Sequence, residues 1–115
     1  MDERLEQALE VSNYMVTLNN SKRFLEEAYK QDIIYYFNGG QFTVNKELIC
    51  FCQVMVDREQ ESIVLLDDNN RPFEIEALDE FLQNILDIYF NATNTYLTNF
   101  NKLVKHRSIK SMVDS

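Results

Sequence analysis

The centre of the fold is predicted by ten residues, FLQNILDIYF, at positions 81–90. Large apolar side chains would point in nearly every direction around a helix over about three turns, so one neighbour cannot cover them all. We therefore expect a sheet to pack on one side of this segment and the first helix on another. The predicted helix spans residues 77–107, and its distal half narrows to a stripe formed by Ala92, Tyr96, Phe100 and Leu103.

A second long helix is predicted near the start of the chain, over residues 2–34. Apolar residues recur there at spacings of three, four and seven, with charged residues largely between them, which is typical of an amphipathic helix. Residues 17–21 are mostly poor helix formers. We expect one helix, with a break at that point as the alternative. The apolar stripe consists of Leu5, Ala8, Leu9, Met15, Leu18, Leu25, Ala28, Tyr29 and Ile33.

The middle of the chain, residues 35–76, is predicted to form a β-containing head. It holds both glycines and the only proline. Asn38-Gly39-Gly40 predicts a turn, because Asn and Gly accept positive φ at low cost. Residues 41–44 then predict a short strand, and residues 62–75 predict a hairpin around the turn that ends at Pro72.

A short helix is predicted within this head over residues 46–58, with Asn45 as its N-cap. The run Leu48–Val56 is apolar enough to form a buried strand instead, and the sequence leaves both readings open. The predicted fold is a single α+β domain, residues 1–115. Two long amphipathic helices flank the middle helix and a small antiparallel β-hairpin or three-stranded sheet, and residues 108–115 form a basic tail.

Charge is unevenly distributed along the chain, whose formal net charge is −8. Residues 1–100 carry 18 acids against 7 bases, whereas residues 101–115 carry Lys102, Lys105, Arg107 and Lys110 against Asp114. Binding to a phosphate backbone needs clustered Lys and Arg, so we expect no nucleic-acid partner. The terminal bases suit a helix C-terminus, where cations complement the helix dipole.

Acidic residues are concentrated between Asp57 and Asp87, with ten acids against Arg58 and Arg71. Such a surface favours solubility. It could also attract a basic protein partner, since electrostatics sets encounter rate and partner choice. The candidate interaction surface comprises Asp57, Glu59, Glu61, Asp67, Asp68, Glu74, Glu76, Asp79 and Glu80.

The two cysteines, Cys50 and Cys52, are expected to be buried, reduced and structural. They are too close in sequence for a relaxed disulfide. With a single histidine in the chain, a zinc site would lack ligands. That histidine, His106, lies between two bases near the end of an exposed helix, without the orienting carboxylate that a general base needs.

No catalytic or cofactor-binding motif is present, so we expect no enzyme, no cofactor and no bound metal. The acidic turn at residues 67–70 lacks the ligand register of a calcium loop. If the chain were an enzyme, Asp67, Asp68 and Asp87 with a divalent metal would form its site. The N-terminus has no apolar leader, and no apolar run approaches the ~20 residues of a membrane span, so we expect a cytoplasmic protein without membrane contact.

Three stretches resemble small proteins of T-even-like phages that infect marine cyanobacteria. These stretches are NGGQFTV at 38–44, VLLDDNNRPFEIE at 64–76 and KHRSIKSMVD at 105–114. The composition, rich in Asn and Tyr, is also what an AT-rich viral genome would encode. The resemblance implies a virion, assembly or host-takeover accessory protein and assigns no residue a role.

Together these features favour a non-enzymatic accessory protein that acts through protein–protein contacts, in virion assembly or a structural role, as a homo-oligomer. A second copy would be needed if Tyr14, Leu18, Leu25, Tyr96 and Phe100 exceed what one helical hairpin can bury. The alternatives are an acidic inhibitor or adaptor of a host protein machine, a prefoldin-like assembly chaperone suggested by shape alone, and the metal-dependent enzyme.

Overall fold

A computed structural model describes residues 3–113 of the chain, with side chains for residues 3–12 and 17–105. Three helices and four strands confirm the α+β class. In chain order they are α1 (Glu3–Asp32), β1 (Ile34–Phe37), β2 (Gly40–Thr43), α2 (Lys46–Asp57), β3 (Ile63–Leu66), β4 (Pro72–Ile75) and α3 (Leu78–Val113).

The chain divides into two compact units. The helical unit comprises Met1–Ala28 and Thr95–Ser115, and the mixed unit comprises Tyr29–Asn94. The helical unit therefore contains most of α1 and the distal part of α3. The mixed unit contains all four strands, α2 and the first turns of α3.

Helix α1 is continuous through the poor helix formers at residues 17–21, as expected, and the alternative of a break there is not observed. It ends at Asp32, two residues before the predicted end. The carbonyl of Ile33 accepts the N–H of Val44 at 2.7 Å, and Ile34 already pairs with Thr43. The β-branched and aromatic run 33–37 therefore belongs to a strand, where such side chains pack well.

The first hairpin pairs β1 with β2, from Ile34↔Thr43 to Phe37↔Gly40. Asn38 and Gly39 form its two-residue turn with φ of 49° and 85°, the positive values that a type I′ turn requires. Gly40 is needed for a different reason. A Cβ at that position would lie 2.7 Å from Cε2 of Phe73, which shows how closely this strand approaches the second hairpin.

The second hairpin pairs β3 with β4, from Ile63↔Ile75 to Leu66↔Pro72. The two hairpins form two separate two-stranded sheets. The predicted single sheet, a hairpin or three strands, is therefore wrong in its strand count. Between the hairpins, the Asp68 N–H donates a hydrogen bond to the carbonyl of Gln41 at 2.8 Å. The other hydrogen bonds between the two hairpins involve side chains. The alternation of residues along a strand does not predict such bonds.

The segment that could have been helix or strand is helix α2. The side chain of Asn45 accepts the N–H of Leu48 at 2.8 Å, which makes it the predicted N-cap. The N–H of Arg58 closes the last turn on the carbonyl of Val54. Because α2 is amphipathic, it turns Cys52 fully into the core.

The core of the mixed unit surrounds the first turns of α3, as predicted from residues 81–90. Three of those side chains are buried and Leu86, Ile88 and Tyr89 are half-buried. The prediction is wrong for Phe90, which is 67% exposed, because nine residues rotate it about 180° from Phe81 around the helix. The buried cluster consists of Phe42, Val44, Cys52, Leu65, Ile75, Leu78, Phe81, Leu82 and Ile85.

The ends of the two long helices differ from prediction. Helix α3 runs to Val113, so the segment expected as a tail from residue 108 is helical to that point.

In α1 the predicted apolar stripe is only partly covered, since Leu18 is buried whereas Leu5 and Leu9 are about half exposed. Met15 and Tyr14 lie outside the side chains that the structure describes.

Candidate protein-binding site

Three aromatic rings of the mixed unit form a continuous cluster. Tyr35 and Phe37 lie two residues apart on β1, so their side chains share one face of the strand. Phe81, one turn into α3, contacts both rings, with centroids 5.6 Å from Tyr35 and 5.4 Å from Phe37. The Tyr35 ring stacks on Phe81, and the Phe37 ring meets it edge-on. Interlocking of this kind fixes the position of all three rings.

These rings form one wall of a pocket of about 350 Å³. Three carboxylates lie around it: Glu74 on β4, Glu76 just after that strand, and Glu80 in the first turn of α3. All three side chains are exposed. Within the described part of the chain no ion pair neutralises any of them. The pocket is therefore acidic and open to a partner.

Two amides complete the pocket and orient its wall. Asn84, half-buried on α3, donates from Nδ2 to the hydroxyl of Tyr35 at 3.1 Å. Asn38, held in the left-handed region by the β1–β2 turn, also lines the pocket. The Tyr35 hydroxyl is thus held in place while its ring stays beside the carboxylates.

Aromatic faces next to unpaired carboxylates suit a cation. Ring faces attract a guanidinium or ammonium within about 6 Å, and a carboxylate can bind a guanidinium through two parallel hydrogen bonds. The pocket is near the small end of the range for binding pockets, about 300–1,000 Å³, and has room for one long side chain. An arginine or lysine side chain of another protein fits both the charge and the shape.

Asp67, which the sequence assigns to the same acidic surface, is buried, so its place on an interaction surface is corrected. Its Oδ1 accepts the N–H groups of Asn69 at 3.0 Å and Arg71 at 2.8 Å, and its Oδ2 accepts the N–H of Gln41 at 3.3 Å. The Arg71 guanidinium lies 3.6 Å from Oδ2. The carboxylate closes the β3–β4 loop and ties it to β2.

The pKa of Asp67 is lowered from its ordinary value of 3.8. Burial alone would raise this pKa by desolvating the charged form. The N–H groups of Arg71, Gln41 and Asn69, together with the positive charge of Arg71, outweigh that effect. The Asp67 carboxylate is therefore ionised in the folded chain, and both of its oxygens accept hydrogen bonds.

Asp68 also accepts hydrogen bonds through both of its carboxylate oxygens, although its side chain is exposed. Its Oδ1 accepts the N–H of Thr43 at 3.0 Å, and its Oδ2 accepts the Thr43 hydroxyl at 2.6 Å and Nε2 of Gln41 at 3.1 Å. The adjacent acids therefore join the two hairpins. Asp67, Asp68 and Asp87 are not brought together, because no group of three potential metal ligands occurs among the described residues.

The remaining acids of the predicted surface are exposed but do not line the pocket. Asp57 accepts Nε2 of Gln53 at 3.0 Å on α2. Glu59 adopts a φ of 63° just after that helix. Glu61 precedes β3, and Asp79 lies in the first turn of α3. The structure thus brings together Glu74, Glu76 and Glu80 and leaves these four outside the pocket.

The cysteines are placed differently from each other. Cys52 is buried, and burial raises the pKa of its thiol to about 11. Cys50 is exposed, which corrects the expectation that both are buried. The helix explains the difference, since two residues rotate the side chain by about 200°.

Other predicted features give no site in the described chain. No helix among the described residues is long and apolar enough to cross a membrane. The side chain of His106 lies outside the described residues.

Comparison of the chain with protein-family models, with curated proteins and with solved structures gives no match.

The aromatic wall and Asn84 were not assigned to a site from the sequence. A usable signal was present, because Tyr35 and Phe37 alternate with Tyr36, the pattern of a strand with two different faces. Their proximity to Glu74, Glu76 and Glu80 depends on how two hairpins and a helix pack, and sequence spacing carries no information about that packing.

Proposed function

We propose that the chain is a non-enzymatic protein that acts through protein–protein contacts, and that a basic partner docks on the acidic pocket of its mixed unit. One observation carries this proposal: three unpaired carboxylates surround a fixed aromatic wall. Like charges held together repel each other, and an incoming cation relieves that repulsion as it binds. The resemblance to phage proteins supports a host protein or a virion protein as the partner.

The pocket favours an arginine over a lysine. A guanidinium is planar and weakly hydrated, so it can lie on the face of an aromatic ring while its edge binds carboxylates. Glu74 and Glu76 supply acceptors from the β4 side, and Glu80 supplies one from α3. A lysine would bind as a point charge, with less orientation.

A peptide-binding assay tests the proposal. The probe is a fluorescent peptide of alternating glycine and arginine, and the matched peptide carries citrulline, which keeps the shape of arginine but removes its charge. We expect the arginine peptide to bind and the citrulline peptide to fail. Binding should weaken with added salt, because exposed charges are screened over about 10 Å at 0.1 M ionic strength.

Matched variants separate the pocket from bulk charge. Glu74→Gln/Glu76→Gln/Glu80→Gln removes three charges in the pocket, and Glu3→Gln/Glu6→Gln/Glu10→Gln removes three exposed charges on α1. The pocket variant should lose at least about tenfold in affinity, whereas the α1 variant should bind nearly as wild type. Equal losses in both variants would mean that net charge alone attracts the peptide, and the pocket would be rejected.

A self-associating role in assembly is the second candidate function. It is favoured by the large apolar side chains that α1 and α3 expose in the helical unit, such as Phe24, which is 72% exposed. Exposed apolar surface of this kind commonly marks a protein interface.

A further inference from the structure

The helical unit buries few apolar side chains for its length. Among its described residues, Leu18 is the one buried apolar side chain, at 5% exposure. Large apolar side chains are exposed on both of its helices: Leu5, Leu9 and Phe24 on α1, and Leu97, Phe100 and Val104 on α3. Long helices gain most of their stability in proteins from packing of an apolar face, and this unit packs little of its own.

The exposed residues of α3 form a seam with coiled-coil spacing. Leu97, Phe100 and Val104 follow at intervals of three and four, which is the a/d pattern of a helix that packs on other helices. At about 100° per residue, the three side chains fall within an arc of about 60°. Tyr96 and Leu103 lie on the neighbouring arc and are half-buried. The seam adjoins that arc, since the Phe100 ring stacks on Tyr96 with centroids 6.4 Å apart, and its three side chains remain exposed.

A groove between α1 and α3 accompanies the seam within the same unit. It has a volume of about 630 Å³ and is lined by three apolar residues, Phe24, Leu25 and Leu103, and by five polar ones, Lys102 among them. Large side chains from another helix can enter a groove of this kind. The unit thus offers both protruding apolar side chains and a groove that could receive them.

The charges of the two helices identify the occupant. Residues 1–28 carry six acids against three bases, and residues 95–115 carry four bases against Asp114. An acidic partner would be repelled by the first segment, and a basic partner by the second. A second copy of the chain can match both, with α1 of each copy against α3 of the other. Two-fold symmetry makes these two contacts equivalent.

The size of this face is sufficient for a dimer. Residues 95–113 of α3 extend about 28 Å, and two neighbouring helices are about 20 Å wide, which gives a footprint on the order of 600 Å². A standard interface buries about 800 Å² of accessible surface per partner, and accessible area exceeds a flat footprint.

We propose that the helical unit binds the helical unit of a second copy, forming a four-helix arrangement in which acidic α1 packs against basic α3 across the interface. This inference rests on the proposed action through protein contacts but not on the acidic pocket. A variant that loses peptide binding at the acidic pocket should still self-associate, and a variant that loses self-association should still bind the peptide. The two proposals can therefore be rejected independently.

Sedimentation velocity tests the dimer. We expect wild type to sediment as a dimer at concentrations between about 1 µM and 1 mM, a range that detects association with dissociation constants up to about 1 mM. Leu97→Ser/Phe100→Ser/Val104→Ser should raise the dissociation constant at least about tenfold, because central apolar side chains dominate interfaces. Val64→Ser/Leu66→Ser, which changes exposed side chains of β3, should sediment as wild type.

Charge exchange provides a second test if the serine variant loses its helices by circular dichroism. Lys102→Glu/Lys105→Glu alone should weaken self-association, as should Glu6→Lys/Glu10→Lys alone. An equimolar mixture of the two should restore a dimer that contains one copy of each. A monomeric wild type throughout the concentration range, or a mixture that stays monomeric, would overturn the proposal.

Discussion

Asp67 and Asp68 show how two adjacent residues of the same type can serve different neighbours. The carboxylate of Asp67 lies inside its loop and accepts the N–H groups of residues 69 and 71. The carboxylate of Asp68 lies outside and accepts the N–H and hydroxyl of Thr43. The turn composition predicted the loop, but the bonds to β2 depend on tertiary packing.

Asp67 should make stability depend on pH. Its folded pKa lies below its ordinary value, so its contribution is present above about pH 3.8 and is lost as pH falls through the folded pKa. We expect Asp67→Asn to be less stable than wild type at pH 7. The difference between their free energies of unfolding should shrink below about pH 4, as measured by urea unfolding from pH 7 to pH 2.

The comparison with the variant isolates the contribution of Asp67, because the chain carries 19 acidic residues. Asp87→Asn is the matched control, since it changes an exposed acid outside this loop. A gap between wild type and Asp67→Asn that stays constant with pH would contradict an ionised, hydrogen-bonded Asp67.

The cysteines should react at very different rates. Thiolate is the reactive form, so the raised pKa and burial of Cys52 protect it, while Cys50 is exposed. With a disulfide reagent at pH 8, we expect one thiol to react quickly and the second only after unfolding in urea. Cys50→Ser should remove the fast phase. Two fast thiols in the native chain would place Cys52 outside the core.

At the scale of elements, hydrophobic periodicity predicted most of the fold. The two long helices, apart from their ends, and the β3–β4 hairpin appear where the pattern placed them, because side chains that share a face of a helix or strand are read directly from spacing. The same pattern left α2 open between helix and strand. The count of sheets was missed, since it depends on contacts between Gln41 and Asp68. The aromatic wall of the pocket was missed for the same reason.

Helix α3 should respond unevenly to loss of its large side chains. Ile85 is fully buried and Leu103 is half-buried. Ile85→Ala should cost about 2–5 kcal/mol, the range for a large-to-small change in a core. Leu103→Ala should cost clearly less as long as the chain is monomeric, since a second copy would bury this side chain further. Urea unfolding of both variants gives the comparison, and equal or reversed losses would mean that the core lies elsewhere along α3.

At the scale of the whole molecule, apolar burial and charge are divided between the two units. The mixed unit holds the core of nine buried side chains and presents the acidic pocket. The helical unit holds one buried apolar side chain among its described residues and exposes several others. We infer that the first unit supplies stability and a site for a basic partner, and that the second supplies a site for another copy.

The central claim is that a basic partner binds at the acidic pocket, and an NMR titration tests it most directly. Adding the glycine–arginine peptide to ¹⁵N-labelled protein should shift the amides of the pocket residues, chiefly Tyr35, Phe37, Glu76, Glu80 and Asn84. Amides of the helical unit should stay unchanged, and the citrulline peptide should shift none. Shifts centred on the helical unit, or no shifts with millimolar arginine peptide, would contradict the account.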